Sequence, residues 1–431
     1  MPTTPNLLIL MVDQFQAQLL ERHDLATFLP NLDALRRRSQ HFQRCFCPAP
    51  ICTPCRASMQ LLQSVHAHGV IGNDRNMPAG PTIADRLAAA GYATSYVGKW
   101  HLDRGNGRGW QHFDPVTDWF QTQGEQWTTA NRLMASANTP HEGPSTGPTN
   151  GQLDAIVRDR GLAEMQRLHQ APAPWALTVS FYGPHAPYEL PAADYTELTP
   201  EAETLPASWD DPLTNKPTVQ REFRCRAWGS QWDASKWRRI RAAYHQRCRL
   251  IDRYCGKLLN QLEALEAHTN TAVVLVADHG ELNGAHRMIY KGPMMYEELV
   301  RVPALLSGPG VPCGANTELC DLTDLLATAL GLCAVSTSDT PAHNYGLKLG
   351  TTGWGRSHVI SEFHEANWVR PTWHQSVAMV RDQRWKLVCT KDQGEELYDL
   401  ATDPAEITNR IASESDQANR LRALLPPALR W

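Results

Sequence analysis

The chain of 431 residues sets 41 Lys and Arg against 45 Asp and Glu, a formal net charge of −4, and so lacks the basic footprint of a nucleic-acid binder. Its length suffices for one large domain plus a smaller one, and no apolar run approaches the roughly 20 residues of a membrane span. Neither nucleic acid nor membrane is expected as a partner, and small molecules or glycans are. The eleven cysteines, an odd number scattered from Cys45 to Cys389 without metal-site pairing, fit a reducing compartment better than a disulfide framework.

Leu7 to Val12 is a short apolar run without a basic flank that ends in Asp13 and Gln14. It reads as a buried strand rather than a signal peptide, and a cytoplasmic location is expected. Strands of an open α/β sheet deliver their C-terminal residues to the site, so Asp13 and Gln14 are candidates, although an aspartate after a strand also suits a plain turn. A helix is expected around Pro30 to Leu35. The stretch Ile51-Cys52-Thr53-Pro54-Cys55-Arg56 then reads C-x-P-x-R, with good helix formers from Cys55 onward. Cys52 is thus expected at or just before a helix N-terminus, where unpaired N–H groups and the helix dipole favour an anion. Arg56 adds a planar cation suited to a tetrahedral oxyanion. Read alone, Cys52 is equally consistent with a small buried hydrophobe.

A polar turn at Gly72 to Asn76 contains Asn73, and a helix closed by glycine runs from Thr82 to Gly91. Tyr92 to His101 is β-rich, and strand alternation would put Lys99 and His101 on one face with Trp100 opposite. Residues 103–151 are rich in Gly, Thr, Asn and Trp and read as excursion loops holding Trp110, Trp119 and Trp127. After a helix over 152–170, the strand Trp175 to Phe181 delivers Pro184-His185-Ala186-Pro187, where the flanking prolines restrict the histidine's backbone. A second insertion, from Leu190 to about Lys236, precedes a long amphipathic helix from Trp237 to Glu266. Thr271 to Ala277 has the composition of a strand buried on both faces. It leads into Asp278-His279-Gly280-Glu281, then His286 and Lys291. Asp278 and His279 can reach one cation together with Asp13, a hard shell with one imidazole. From Ala342 short strands and a terminal helix (Asp416 to Leu425) predict an antiparallel subdomain.

These segments resemble the type I, formylglycine-dependent sulfatases of the alkaline phosphatase superfamily, from Asn6 to about Ala405. The C-x-P-x-R signature, Gly98-Lys99-Trp100-His101, Pro184-His185-x-Pro187-Tyr188, Asp278-His279 and Glu396-Leu397-Tyr398-Asp399-Leu400 carry the resemblance. Two departures stand out: Gln14 where the family commonly has a second aspartate, and Leu61-Leu62-Gln63-Ser64 where a Leu-Thr-Gly-like segment usually follows the signature. The resemblance implies an α/β fold, with a large, mixed, mostly parallel sheet sandwiched by helices (residues 1–341) and a small C-terminal antiparallel α+β subdomain (342–431). It implies hydrolysis of sulfate monoesters by a formylglycine formed from Cys52 by a formylglycine-generating enzyme. One divalent cation, Ca²⁺ before Mn²⁺ or Mg²⁺, would be held by Asp13, Gln14, residue 52, Asp278 and His279. Arg56, Lys99 and Lys291 would hold the sulfate oxygens, His101 would serve as base for the formylglycine hydrate, and His185 would protonate the leaving alcohol. Asn73 and His286 are the candidate substrate-binding residues. Fourteen tryptophans suit stacking on a sulfated carbohydrate and equally suit ordinary packing. Phosphonate monoester or phosphodiester hydrolysis on the same scaffold remains open through Gln14 and His279, and so does a binding protein whose Cys52 is never converted.

Overall fold

The apolar runs of the sequence form the centre of one sheet because each is buried along its whole length and finds its hydrogen bonds only in neighbouring strands. The computed structural model describes residues 4–102, 107–116, 142–144, 150–197, 199–226, 231–340, 355–364 and 375–431. In chain order the main sheet contains β1 (Asn6–Asp13), β2 (Gln40–Phe42), β3 (Ala93–Gly98), β4 (His112–Asp114), β5 (Trp175–Pro184), β6 (Thr271–Ala277), β7 (Ala304–Ser307) and β8 (Gly314–Asn316). Their spatial order is β8-β2-β7-β6-β1-β5-β3-β4. The run β6-β1-β5-β3-β4 is parallel, and β7 lies antiparallel to both β6 and β2. Every residue of β6 is buried, as its composition predicts.

Helices cover both faces. On one side α1 (Pro30–Arg37), α4 (Asn150–His169) and the 31-residue α5 (Ala234–Ala264) pack together. On the other, α2 (Cys52–Leu61) meets α3 (Ile83–Ala89) and α6 (Leu322–Leu332). The predicted stripe on α5, from Tyr244 through Cys248, Ile251 and Cys255 to Leu258 and Leu259, is core. The α3 start is fixed by a capping box between Thr82 and Asp85. Among the described residues no helix is long and apolar enough to cross a membrane.

The C-terminal part is a four-stranded antiparallel sheet, β9 (Val359–Phe363), β10 (Val377–Arg381), β11 (Trp385–Thr390) and β12 (Gly394–Asp399), packed against α7 (Ser415–Arg422) over a second apolar core. Ionic contacts tie it to the main body. Lys386 is fully buried and its Nζ lies 2.8 Å from both Glu297 and Glu406. The predicted boundary at 341/342 falls outside the described residues.

Two sequence expectations fail locally: His112–Asp114, within the segment read as excursion loops, pairs in parallel with β3 as the edge strand β4, and the strand end before His101 is misplaced. The strand predicted to reach His101 ends at Gly98, whose φ of 103° leaves the strand conformation. Lys99 turns inward to be buried, whereas His101 adopts a φ of 54° and is exposed, so the two side chains do not share a strand face. A Cβ on residue 98 would lie 2.1 Å from the Ser180 carbonyl oxygen on β5. Gly98→Ala is therefore expected to cost roughly 2–4 kcal/mol and to displace Lys99, measurable as a lowered urea midpoint; a midpoint equal to wild type would refute the close approach.

Candidate active site

Parallel pairing of β1 with β5 and β6, in a register that sets Val12 beside Ala277 and Asp13 beside Pro184, brings Asp13, His185 and Asp278 to the same edge. This is the carboxyl edge, where ligands sit in open α/β sheets. Cys52 begins α2 beneath that edge, and its Sγ lies 3.2 Å from His279 Nε2. Ligand atoms of Asp13, Cys52, Asp278 and His279 all fall within 4.8 Å of one another, and all four residues are buried.

The fit to a cation is visible in the unused atoms. Asp13 Oδ2 is fully engaged, receiving Lys99 Nζ at 2.6 Å and Arg56 Nη2 at 2.9 Å, while Asp13 Oδ1 is buried with no partner among the described residues. His279 Nδ1 lies 2.9 Å from the Gly280 carbonyl. A carbonyl can only accept, so Nδ1 carries a proton and Nε2, which faces Cys52, is the nitrogen that would ligate a cation, the arrangement that ligating histidines adopt. Two carboxylates, one imidazole and the residue-52 atom make a donor set suited to a hard divalent ion, whereas Gln14, expected as a further ligand, has its Oε1 on Lys291 and its Nε2 on Glu281.

Charge is balanced by burial and proximity. Burial alone would raise the Asp13 pKa, but Lys99, His185, Arg56 and Lys291 hold it well below the usual carboxylate range. Asp278 moves up, through burial and the neighbouring Asp13 charge. The Cys52 thiol is pushed up by burial and Asp13, yet Lys291, Lys99 and His279 outweigh them and hold it well below the ordinary thiol value. His185 is depressed to about 3 by burial and by Lys291 and Lys99.

Arg56 departs from its expected role. Its guanidinium, 2% exposed, donates to Asp278 Oδ2 (2.8 Å), Asp13 Oδ2 (2.9 Å), the Lys99 carbonyl (2.7 Å) and Ser180 Oγ (3.2 Å). With four of its five N–H donors engaged by protein, Arg56 chiefly braces the two carboxylates. Lys99 remains in the site, and so does Lys291, whose Nζ donates to Gln14 Oε1 at 2.6 Å.

Each candidate substrate residue has one polar side-chain atom engaged by protein and another, Asn73 Nδ2 and His286 Nε2, buried without a partner among the described residues. Asn73 Oδ1 accepts from the Thr53 backbone N–H at 2.9 Å, so this side chain caps the helix that carries Cys52. His286 is fully buried, bound through Nδ1 to Asp211 Oδ2 at 2.6 Å and stacked 3.6 Å from Tyr296. Trp110 is buried, with its Nε1 donating to Gln60; Trp119 and Trp127 lie outside the described residues.

Other residues around the site went unassigned in the sequence reading. Glu281, in the Asp278-His279-Gly280-Glu281 run, is fully buried against Gln14. Asp154 on α4 accepts from the backbone N–H groups of Tyr182 and Gly183, just before Pro184 and His185, and pairs with buried Arg247 at 2.7 Å. Neither had a motif of its own; only their neighbours in the fold give them meaning.

Comparison with known proteins decides the family. The family model described as Sulfatase matches residues 5–335. The chain belongs to the sulfatase family. A second model, N-sulphoglucosamine sulphohydrolase C-terminal, matches residues 284–426. This sulfatase is 27% identical to a choline-sulfatase of Rhizobium meliloti over 94% of its own length and 82% of the relative's. It is also 27% identical to a Delta 4,5-hexuronate-2-O-sulfatase of Bacteroides thetaiotaomicron, over 94% and 84%. Its fold matches the phosphonate monoester hydrolase of Agrobacterium radiobacter with a TM-score of 0.79 at 21% identity, covering 97% of this chain and 94% of that one. The sulfatase is a sulfuric ester hydrolase, and the mixed, mostly parallel sheet with an antiparallel C-terminal sheet is that of its structural relatives.

Proposed function

We propose that this sulfatase cleaves sulfate monoesters of carbohydrates, releasing alcohol and sulfate, through a formylglycine made from Cys52 by a formylglycine-generating enzyme. The observation that carries the reading is the enclosure of Cys52 by Asp13, Asp278 and His279 at the start of α2, with Lys99 held on Asp13. A cation on those residues, Ca²⁺ in the first instance, supplies Lewis acidity toward a hydroxyl and a sulfate oxygen. The hydrated formylglycine supplies two hydroxyls on one carbon, one to attack sulfur and one to expel the product.

The remaining work belongs to the chain. Among the described residues Lys99 and Lys291 each use one N–H on the protein, Lys99 on Asp13 and Lys291 on Gln14, with the others available to the anion's oxygens. His185 Nδ1 lies 2.6 Å from the Ala186 carbonyl, so Nδ1 holds its proton and Nε2 is the nitrogen that exchanges one with the leaving alcohol. An arriving anion offsets the lysine charges that depress His185 and moves its pKa back toward neutrality, in the sense a general acid needs. His101, exposed and fixed through its carbonyl to Thr53 Oγ1 at 2.7 Å, is assigned to take the proton of the second hydroxyl. The hexuronate sulfatase among the relatives supports a sulfated sugar. Eleven free thiols support a reducing, cytoplasmic setting.

The test is protein co-produced with a formylglycine-generating enzyme. The tryptic peptide containing Cys52 is expected about 18 Da lighter than the thiol form, with sulfate released from an aryl sulfate; an unmodified thiol without turnover would leave a binding protein. Dialysis against EDTA is expected to lower kcat by roughly 10²–10³-fold, with recovery on adding Ca²⁺, Mn²⁺ or Mg²⁺; full activity in EDTA would remove the cation from the reading. Gln14 and His279 favour a second substrate class, phosphonate monoesters. A phenyl phosphonate ester turned over faster than the aryl sulfate would make that the primary activity.

A further inference from the structure

Gln14 is buried, with a φ of 66° that sets its side chain between Glu281 and Lys291. Its Nε2 donates to Glu281 Oε2 and its Oε1 accepts from Lys291 Nζ at 2.6 Å. The other oxygen of Glu281 accepts from the backbone N–H groups of Asn283 (3.0 Å) and Tyr290. Glu281 Oε2 thus takes a donor from Gln14, and the Lys291 ammonium, which only donates, takes an acceptor. The Gln14 amide satisfies both at once, and between these two partners it does so in a single orientation.

We propose that Glu281 is a positioning residue for Lys291 and acts through Gln14. It locks the amide with its oxygen toward the ammonium, and a glutamate at position 14 would set two buried carboxyl groups face to face. The consequence for Lys291 as a ligand of the substrate anion rests on the function proposed above; the locking of the amide does not.

A residue that merely braced the 281–290 loop would act through Asn283 and Tyr290 alone. Glu281→Gln separates the two roles. The substituted side chain keeps an oxygen for both backbone N–H groups but turns an NH₂ toward the NH₂ of Gln14. The Gln14 amide must then flip, donor against the ammonium, or withdraw. Gln14→Glu creates the reverse fault, carboxylate against carboxylate. The double variant, Gln14→Glu with Glu281→Gln, exchanges acid and amide and restores each contact. The amide now at position 281 donates to the carboxylate now at position 14, and that carboxylate accepts from Lys291.

The experiment is a double-mutant cycle on the full-length chain, in Ca²⁺ and again in EDTA, reading the urea midpoint and the affinity for inorganic sulfate by calorimetry. Each single variant is expected to lower the midpoint and weaken sulfate binding about tenfold or more, and the double variant to recover most of both losses. Losses that simply add in the double variant, or a Glu281→Gln protein equal to wild type in both readings, would overturn the proposal. A wild type that binds no sulfate would instead remove Lys291 as an anion site, and the midpoint cycle would still decide whether Glu281 orients Gln14.

Discussion

Cys52→Ala is expected to lower kcat/KM on an aryl sulfate by at least about 10³-fold while leaving the protein folded. The residue is 1% exposed at the first position of α2, and the turn it starts is held by Asn73 on the Thr53 N–H, which the substitution does not touch. Loss of one buried sulfur should cost about 1 kcal/mol or less, visible as a small shift in the urea midpoint. Cys52→Ser makes the sharper comparison. A serine places one hydroxyl where the matured residue has two, so it can accept a sulfuryl group but has no second hydroxyl to drive its release. The expected result is a sulfated residue-52 peptide by mass spectrometry, formed without turnover. Steady turnover by either variant would place the nucleophile elsewhere in the site.

What the sequence showed of this site follows from how each residue is encoded. Asp13, Asp278 and His279 were legible because buried parallel strands read as unbroken apolar runs and strand ends point to the site edge. Cys52 was legible because a proline-flanked cysteine before helix formers announces a helix N-terminus. The four central strands and the C-terminal hairpins followed from the same patterns, whereas the short outer strands β2, β4, β7 and β8 did not, because three or four residues carry no periodicity of their own. Lys99 and His101 were misread as strand neighbours because the alternation was carried past Gly98, whose positive φ depends on a close approach to Ser180 that no local pattern records. Asn73 and His286 stand beside motifs in the sequence, but what holds them in place is not local. Their partners, the Thr53 N–H 20 residues away and Asp211 75 residues away, belong to tertiary structure. Glu281 was in view beside His279, but its role exists only once Gln14 and Lys291 are brought together from opposite ends of the domain.

Arg56 is the residue whose revised role has the largest consequence for stability. A sulfate ligand facing a cleft could be removed with a rise in KM and little change in folding. In the structure, however, Arg56 has no exposed face: its ion pairs with Asp13 and Asp278 are 2.9 and 2.8 Å long, between side chains 2% and 0% exposed. Removing one member of such a set leaves the others as uncompensated buried charge, which typically costs about 3–5 kcal/mol. Arg56→Ala is therefore expected to lose that much in urea denaturation measured in EDTA, with Lys99 left as the remaining cation on Asp13 Oδ2. Arg56→Lys retains the charge but not the planar fork that spans two carboxylates, the Lys99 carbonyl and Ser180. It should fall between wild type and alanine in stability, and its activity should drop because Asp13 and Asp278 are no longer held for the cation. A near-wild-type urea midpoint for Arg56→Ala, accompanied only by a raised KM, would return Arg56 to the substrate and refute the bracing role.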